Sequence, residues 1–397
     1  MLSKLKAALK GNSFGASDVI SRLIIWCALP LCAIFIEAKD YGELVLLYTY
    51  ISILSPILLF GQGRAVLKYA GEKSNFSTST PVLICSAVTT LIFVPVYYYD
   101  PIKVNILLAA YLLSIIMILS NRSRVYSNIK TFVFLRLGYG IARLMLLLIL
   151  SLFFTIFYYV YVEIISIFVV LIPTAIYLLL CKEKKIKFDV TDIKKSALFG
   201  FPLFLQSVFL VISQHFDKIF IAHYLSKEHL GNYAFMFTFC SCVSFIFSFF
   251  AQKYEVKVYQ ADTLNQAKSY SKDFFCMCVK ASGVFYFISV ACYYISTVLA
   301  SGNYEFMPLD MTLLFFSQCI NMLILKYSYV LTFLEKNSKI FMATVIGAIF
   351  SVTSIYFLVP ILGLLGAVFS SLCANLVTML FLRLQLSREY KLSNQVA

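Results

Sequence analysis

Along the 397 residues, apolar runs about twenty residues long alternate with short polar breaks. A helix needs about 20 mostly apolar residues to cross about 30 Å of hydrocarbon. Twelve such runs occur, at 19–37, 43–61, 81–98, 103–120, 131–154, 158–180, 198–222, 231–251, 274–299, 309–333, 339–359 and 362–382. Pro30, Pro56, Pro95, Pro173 and Pro202 fall inside them. Such prolines break soluble helices, but in a bilayer neighbouring helices and polar side chains satisfy the freed backbone groups. The period-two alternation of a membrane β-barrel is absent. The pattern predicts an all-α integral membrane protein with twelve transmembrane helices.

Composition supports this reading. The chain is 61% hydrophobic and 13% charged, against about 25% charged in soluble domains. A soluble fold and a disordered chain are both excluded, because neither carries 38 Phe and 27 Tyr at so low a charge.

Basic residues orient the spans. With the N-terminus inside, cytoplasmic segments hold twenty-four Lys and Arg, while the outer loops hold only Lys39, Lys103 and Lys227. Cytoplasmic loops carry the positive excess, so both termini are expected in the cytoplasm. The net charge of +14 is then a matter of topology and anionic inner-leaflet lipid, and nucleic acid is not an expected partner. Residues 1–18 are basic and amphipathic without a cleavage site, so they are expected to stay attached. The eleven cysteines lie nearly all in spans, where thiols act as small packing groups.

The longest charged connector, 181–197, divides the chain into an N-terminal six-helix half, 1–180, and a C-terminal half, 198–397. Six is even, so any duplication is a parallel repeat about an axis along the membrane normal. The first outer turn, Ala38 to Leu44, and the seventh-to-eighth turn, Ser226 to Tyr233, share a basic-acidic pair followed by a Gly that enters an aromatic-rich helix. A tight helix–helix turn alone accounts equally for that pattern. No outer loop exceeds about nine residues, so an extracytoplasmic domain is not expected.

No phosphate-cradling Gly-rich motif is present; Gly61-Gln62-Gly63 lacks the Lys and Ser that would hold phosphate and magnesium. His215, His223 and His229 read as interfacial or packing residues, and enzyme chemistry has no support. Ionisable residues inside spans say more, since each costs about 2.5–3.5 kcal/mol at mid-bilayer on insertion scales. Arg143 lies deepest, about 18 Å into the fifth span. Arg136 and Tyr139 share its helix face, which suits an anion-binding wall. A backbone carbonyl or a structural carboxylate is the alternative partner for Arg143. Arg22, Arg64, Arg136, Lys280 and Lys326 lie near cytoplasmic span ends, where snorkelling explains each singly and a cationic inlet explains them together. Arginine suits a diphosphate because its planar fork binds two oxygens at once. The seventh span carries Gln206, Ser213 and Asp217 as a polar stripe ending in Asp217-Lys218, a candidate gate or an interfacial ion pair. Glu163 and Asp217 are the acids clearly within spans, away from their first residues; either could couple transport to protons or sodium, Asp217 being preferred for its stripe. No resident cofactor or metal is expected.

The second half resembles the Wzx-type polysaccharide-flippase family of the multidrug/oligosaccharidyl-lipid/polysaccharide (MOP) exporter superfamily. The matching residues are Gly200-Phe201-Pro202-Leu203, Asp217-Lys218-Ile219-Phe220-Ile221 and Leu230-Gly231-Asn232-Tyr233. Leu334-Glu335-Lys336-Asn337 and Pro360 to Ala367 fit the last two helices, and Tyr41-Gly42 and Gly61 to Arg64 fit early features. Lys218 stands where the family often has Arg. The resemblance implies two six-helix lobes around a central cavity that opens alternately to each side of a bacterial inner membrane. The cargo it implies is an undecaprenyl-diphosphate-linked oligosaccharide, an O-antigen or capsule unit, moved from inner to outer leaflet. It implies diphosphate contacts at Arg143, Arg22 and Arg64, to which the reading of the residues adds Arg136 and Lys326, cavity or gate roles for Tyr139, Gln206, Ser213 and Lys218, and coupling at Asp217 or Glu163. Implied partners are membrane lipids and the polymerase and chain-length regulator of the same pathway. An O-antigen polymerase is the competing reading, disfavoured by the short outer loops. A multidrug exporter of the superfamily is the third; it would favour carboxylates over a deep Arg in the cavity.

Reporter fusions at Lys184 and Lys257 are predicted to read cytoplasmic, and those at Asp100 and Asn303 periplasmic. A periplasmic signal at Lys184 would overturn this orientation.

Overall fold

The computed structural model describes residues 13–72, 79–99, 103–126, 128–153, 159–180, 190–259, 261–300 and 303–396. The order is α1 Ser13–Ala33, α2 Ala38–Leu59, α3 Gln62–Glu72, α4 Ser79–Tyr99, α5 Val104–Val125, α6 Ile129–Val133, a π-helical turn Phe134–Gly138, and α7 Tyr139–Phe153. There follow α8 Tyr159–Leu180, α9 Val190–Tyr224, α10 Lys227–Ser241, α11 Val243–Tyr259, α12 Leu264–Leu299, α13 Pro308–Phe333, α14 Asn337–Leu362 and α15 Leu364–Val396. Among the described residues, eleven helical segments are long and apolar enough to cross a membrane, each on one of the expected runs from the second onward. The first run falls on a shorter apolar stretch, Ile20–Ala33. The chain is a multi-pass membrane protein. Leu91, Phe287 and Ile361 are 76%, 73% and 77% exposed, which only a hydrocarbon surrounding makes inexpensive.

Two helices overrun their apolar limits. α9 begins at Val190, so residues 190–197 of the expected linker are its first turns. Asp192 in the first turn suits the positive end of the helix dipole. The rest of the linker, 181–189, and most of the basic stretch 1–18 lie outside the described residues. α15 runs on to Val396, so the segment from Arg383 continues the last helix. Leu382 and Leu386 explain why: they bury with Val330, Leu331 and Ala343 in one apolar cluster, flanked by Tyr327 and Tyr390.

The chain forms two compact units: residues 1–35 with 46–211, and 36–45 with 212–397. The division therefore passes through two continuous helices, α2 and α9. In the first unit, α1 packs on α7, α3 on α5, and α8 on both α5 and α7. The α2–α3 turn is built on Phe60 (φ 47°) and Gly61 (φ 69°). Gly61 tolerates that backbone, and a Cβ there would also strike the backbone of Gly200 on α9. Gln62, wholly buried, accepts from Ser196 Oγ at 2.6 Å and donates to the Ser196 carbonyl at 3.3 Å. The Gly-Gln-Gly sequence is thus a docking turn for α9. The Phe60 ring seals it against Phe201 and Phe204.

In the second unit, the two similar turns noted in the sequence pack against each other. A Cβ on Gly42 would overlap the Lys227 carbonyl, and one on Gly231 the Ala38 carbonyl, so the crossing of α2 and α10 is reciprocal. Small residues permit such approach where hydrophobicity alone does not hold helices together. The Lys227–Glu43 ion pair and edge-on contacts of Tyr41 with Phe235 and Tyr304 surround it. Ser226 caps α10 by accepting from the His229 N–H at 3.1 Å. Further along, α13, α14 and α15 pack together, and α11 and α12 lie against α13.

Gly231→Ala is predicted to lower the thermal midpoint in detergent, overpacking of this kind costing about 1–3 kcal/mol. Gly283→Ala, where a Cβ meets no neighbour, serves as control and should leave the midpoint unchanged or raised. Equal midpoints for the two variants would show that the crossing relaxes freely.

Candidate anion site and buried ion pairs

The fifth expected span is an interrupted helix: α6 passes into the π turn and then α7. A π turn widens the helix and misaligns backbone groups, and such turns concentrate at functional sites. Here Ser21 Oγ on α1 donates to the Arg136 carbonyl at 2.6 Å inside the turn. The inserted turn breaks the seven-residue register expected to align Arg136 with Arg143. Arg136 lies half-buried within the turn, while Tyr139 and Arg143, four apart on α7, remain on one face.

That face meets Glu163 of α8. Arg143 Nε lies 3.1 Å from Glu163 Oε1, and the Tyr139 hydroxyl lies 3.1 and 3.0 Å from the two carboxylate oxygens. Tyr48 of α2 completes the cluster, its ring centroid 4.2 Å from the guanidinium carbon. All four residues are buried. The structure thus joins the expected anion-binding Arg143 to the expected coupling acid Glu163 and supplies the carboxylate partner left open by the sequence. Pairing cancels two charges that hydrocarbon would not tolerate singly. The Nε–H does not point along the contact and has no hydrogen-bond acceptor, so the pair leaves the arginine a donor to offer elsewhere.

The second unit holds an analogous cluster. Asp217 Oδ2 accepts from the Tyr233 hydroxyl at 2.6 Å, and Oδ1 accepts from the Lys218 N–H at 2.8 Å. Lys218 Nζ is 3.4 Å from Asp217 Oδ1, donates to the Gln214 carbonyl at 3.1 Å, and stands 4.4 Å from the Phe237 ring centroid. Asp217 and Lys218 are both buried within the second unit. Of the other candidates, Arg22 and Arg64 are exposed, and Gln206, Ser213 and Lys326 are half-buried. Sequence reasoning missed Tyr48, Phe237 and Ser21, which have no distinguishing pattern among so many aromatic and hydroxyl residues. Tyr233 stood within a quoted motif without a role.

Among the described residues, eleven long apolar helices and two buried ion pairs define a multi-pass helical membrane fold. Solved structures with this fold include an inward-facing multidrug resistance MATE family transporter of the MOP superfamily (TM-score 0.67, 14% identity, 94% of this chain and 99% of that one). The lipid II flippase MurJ in an inward closed conformation is also similar (TM-score 0.64, 12% identity, 94% and 87%). So is a MOP superfamily transporter from Pyrococcus furiosus with a binding pocket of reverse polarity (TM-score 0.60, 12% identity, 94% and 94%). No curated protein matches the chain in sequence. The model of the polysaccharide biosynthesis protein family matches residues 12–253. The chain belongs to that family and shares the fold of these solved structures.

Arg143→Met is predicted to destabilise the protein by about 3–5 kcal/mol by stranding the Glu163 carboxylate. Adding Glu163→Gln should restore most of the loss, as read by thermal unfolding in detergent. A double variant no more stable than Arg143→Met would dissolve the pair as an energetic unit.

Proposed function

We propose that the protein moves a polyprenyl-diphosphate-linked oligosaccharide, of the undecaprenyl O-antigen or capsule type, from the inner to the outer leaflet of a bacterial cytoplasmic membrane by alternating access. The observation that carries this reading is a deep guanidinium, Arg143, held by a single carboxylate across two helices with one donor uncommitted. Family membership supports it, as does the likeness to a lipid II flippase. A diphosphate can replace Glu163 on Arg143 if the displaced carboxylate takes up a proton, so that neither partner is left as a bare charge.

The same geometry supports a choice between the two candidate coupling acids. Arg143 and Glu163 sit on different helices and can part, whereas Asp217 and Lys218 are neighbours in one chain and cannot. Glu163 therefore replaces Asp217 as the preferred acid. Proton uptake by Glu163 removes the anion that competes for Arg143, so proton and diphosphate occupancy rise together. The multidrug reading is weaker, because two of the three buried carboxylates among the described residues, Glu163 and Asp217, already carry a cation. Product removal by a downstream polymerase would add directional drive.

In proteoliposomes, Arg143→Ala is predicted to abolish flipping of a diphosphate-linked oligosaccharide and Arg143→Lys to retain part of it, at equal protein levels. Glu163→Gln should bind the diphosphate lipid more tightly than wild type and lose the response to an imposed proton gradient. Flipping undiminished in Arg143→Ala would overturn the assignment.

A further inference from the structure

Three helices of the second unit bring basic side chains to one place. Lys272 of α12 and Arg383 of α15 flank Lys326 on α13: Phe275, one turn beyond Lys272, lies under the Lys326 ammonium, and Leu382, next to Arg383, buries in one cluster with Val330, one turn beyond Lys326. The Ser271 hydroxyl donates to the Lys326 carbonyl at 2.8 Å, which fixes α12 and α13 at this level. Beneath the ammonium lie two aromatic faces, Phe275 at 4.6 Å and Tyr327 at 5.5 Å from ring centroid to Nζ. The apolar cluster around Leu382 and Leu386 anchors the helix that bears Arg383.

Depth and charge together specify the ligand. Lys326 is eighteen residues from the outer start of α13 and Arg383 nineteen from that of α15. At 1.5 Å per residue these are about 27 and 28 Å, close to the thickness of the hydrocarbon layer. The cations stand at inner headgroup level. Among the described residues no carboxylate pairs with any of the three; Glu389, one turn beyond Arg383, is taken by Lys336 at 3.5 Å. Lysines at this depth that served only to snorkel would have no reason to converge from three helices against their own repulsion.

We infer that Lys272, Lys326 and Arg383 form a site for a diphosphate headgroup carried by an inner-leaflet polyprenyl lipid, separate from the Arg143–Glu163 pair. Arg383 supplies a planar fork for two phosphate oxygens and the lysines add point charges, so a diphosphate outcompetes a phosphodiester. The exposed flank of α12, with Lys268, Lys272 and Lys280 on one side, continues the positive track along the helix. The inference rests on the proposed cargo, and its test is independent of transport.

The test is equilibrium binding of a fluorescent polyprenyl diphosphate to full-length protein in phosphatidylcholine nanodiscs. Polyprenyl monophosphate and phosphatidylglycerol serve as competitors. Each cation near the surface is worth about fivefold, so Lys272→Gln/Lys326→Gln/Arg383→Gln should weaken binding about 100-fold. Lys326→Arg should retain binding, which separates charge from packing. Unchanged binding in the triple variant overturns the site. Competition by phosphatidylglycerol equal to that by the diphosphate also overturns it, assigning the cluster to bulk anionic phospholipid. Cluster-dependent binding alongside normal flipping in Arg143→Ala would sink the proposed mechanism and leave this site standing.

Discussion

A chain in hydrocarbon must satisfy every backbone N–H and carbonyl from its own atoms, and the rest of this structure depends on that constraint. It dictates continuous helices across the layer, and it makes each interruption conspicuous. The α2–α3 turn is sealed by Gln62 and Ser196, and the π turn receives the Ser21 hydroxyl on the Arg136 carbonyl. At these two breaks a polar side chain, Gln62 on the Phe60 carbonyl and Ser21 on the Arg136 carbonyl, supplies what solvent would supply in water. These side chains also tie helices together at the points where the backbone is weakest.

Charge follows the same rule more severely. Each unit buries one cation with one carboxylate, places a tyrosine hydroxyl on the carboxylate, and lays an aromatic ring against the cation. The chemistry is repeated, but the mechanical consequence is not. In the second unit both charges ride on α9, so helix motion carries them as one dipole. In the first unit they ride on α7 and α8, and separating those helices separates the charges. Only the first arrangement converts a conformational change into an electrostatic one.

Much of the fold was legible in the sequence because length and hydropathy are one-dimensional properties. Eleven of the expected spans coincide with long apolar helices, and the prolines at 56, 95, 173 and 202 lie inside their helices as expected. Helix ends were not legible, since Lys and Arg signal the end of the apolar layer without ending the helix, as α9 and α15 show. The site was half legible. Arg143 and Glu163 stood out because ionisable groups are rare in spans, yet nothing in a single sequence says that positions twenty residues apart on consecutive helices will meet. The π turn was invisible, and with it the true placement of Arg136.

The π turn also records something about the length of the helix that contains it. A wide turn accommodates one more residue than an α-helix would over the same rise, so the stretch from Ile129 to Phe153 holds a surplus residue. Removing it would let the helix close into regular α geometry with everything downstream facing as it does now, whereas closing the turn with the residue kept would swing everything downstream by about a hundred degrees, the angle per residue at 3.6 residues per turn. Arg143 would then face a different neighbour with no side chain having been substituted. The aim of the deepest charge in the protein is therefore held by the width of one turn, and an insertion or deletion on either side of it would change what the helix presents more thoroughly than most point mutations.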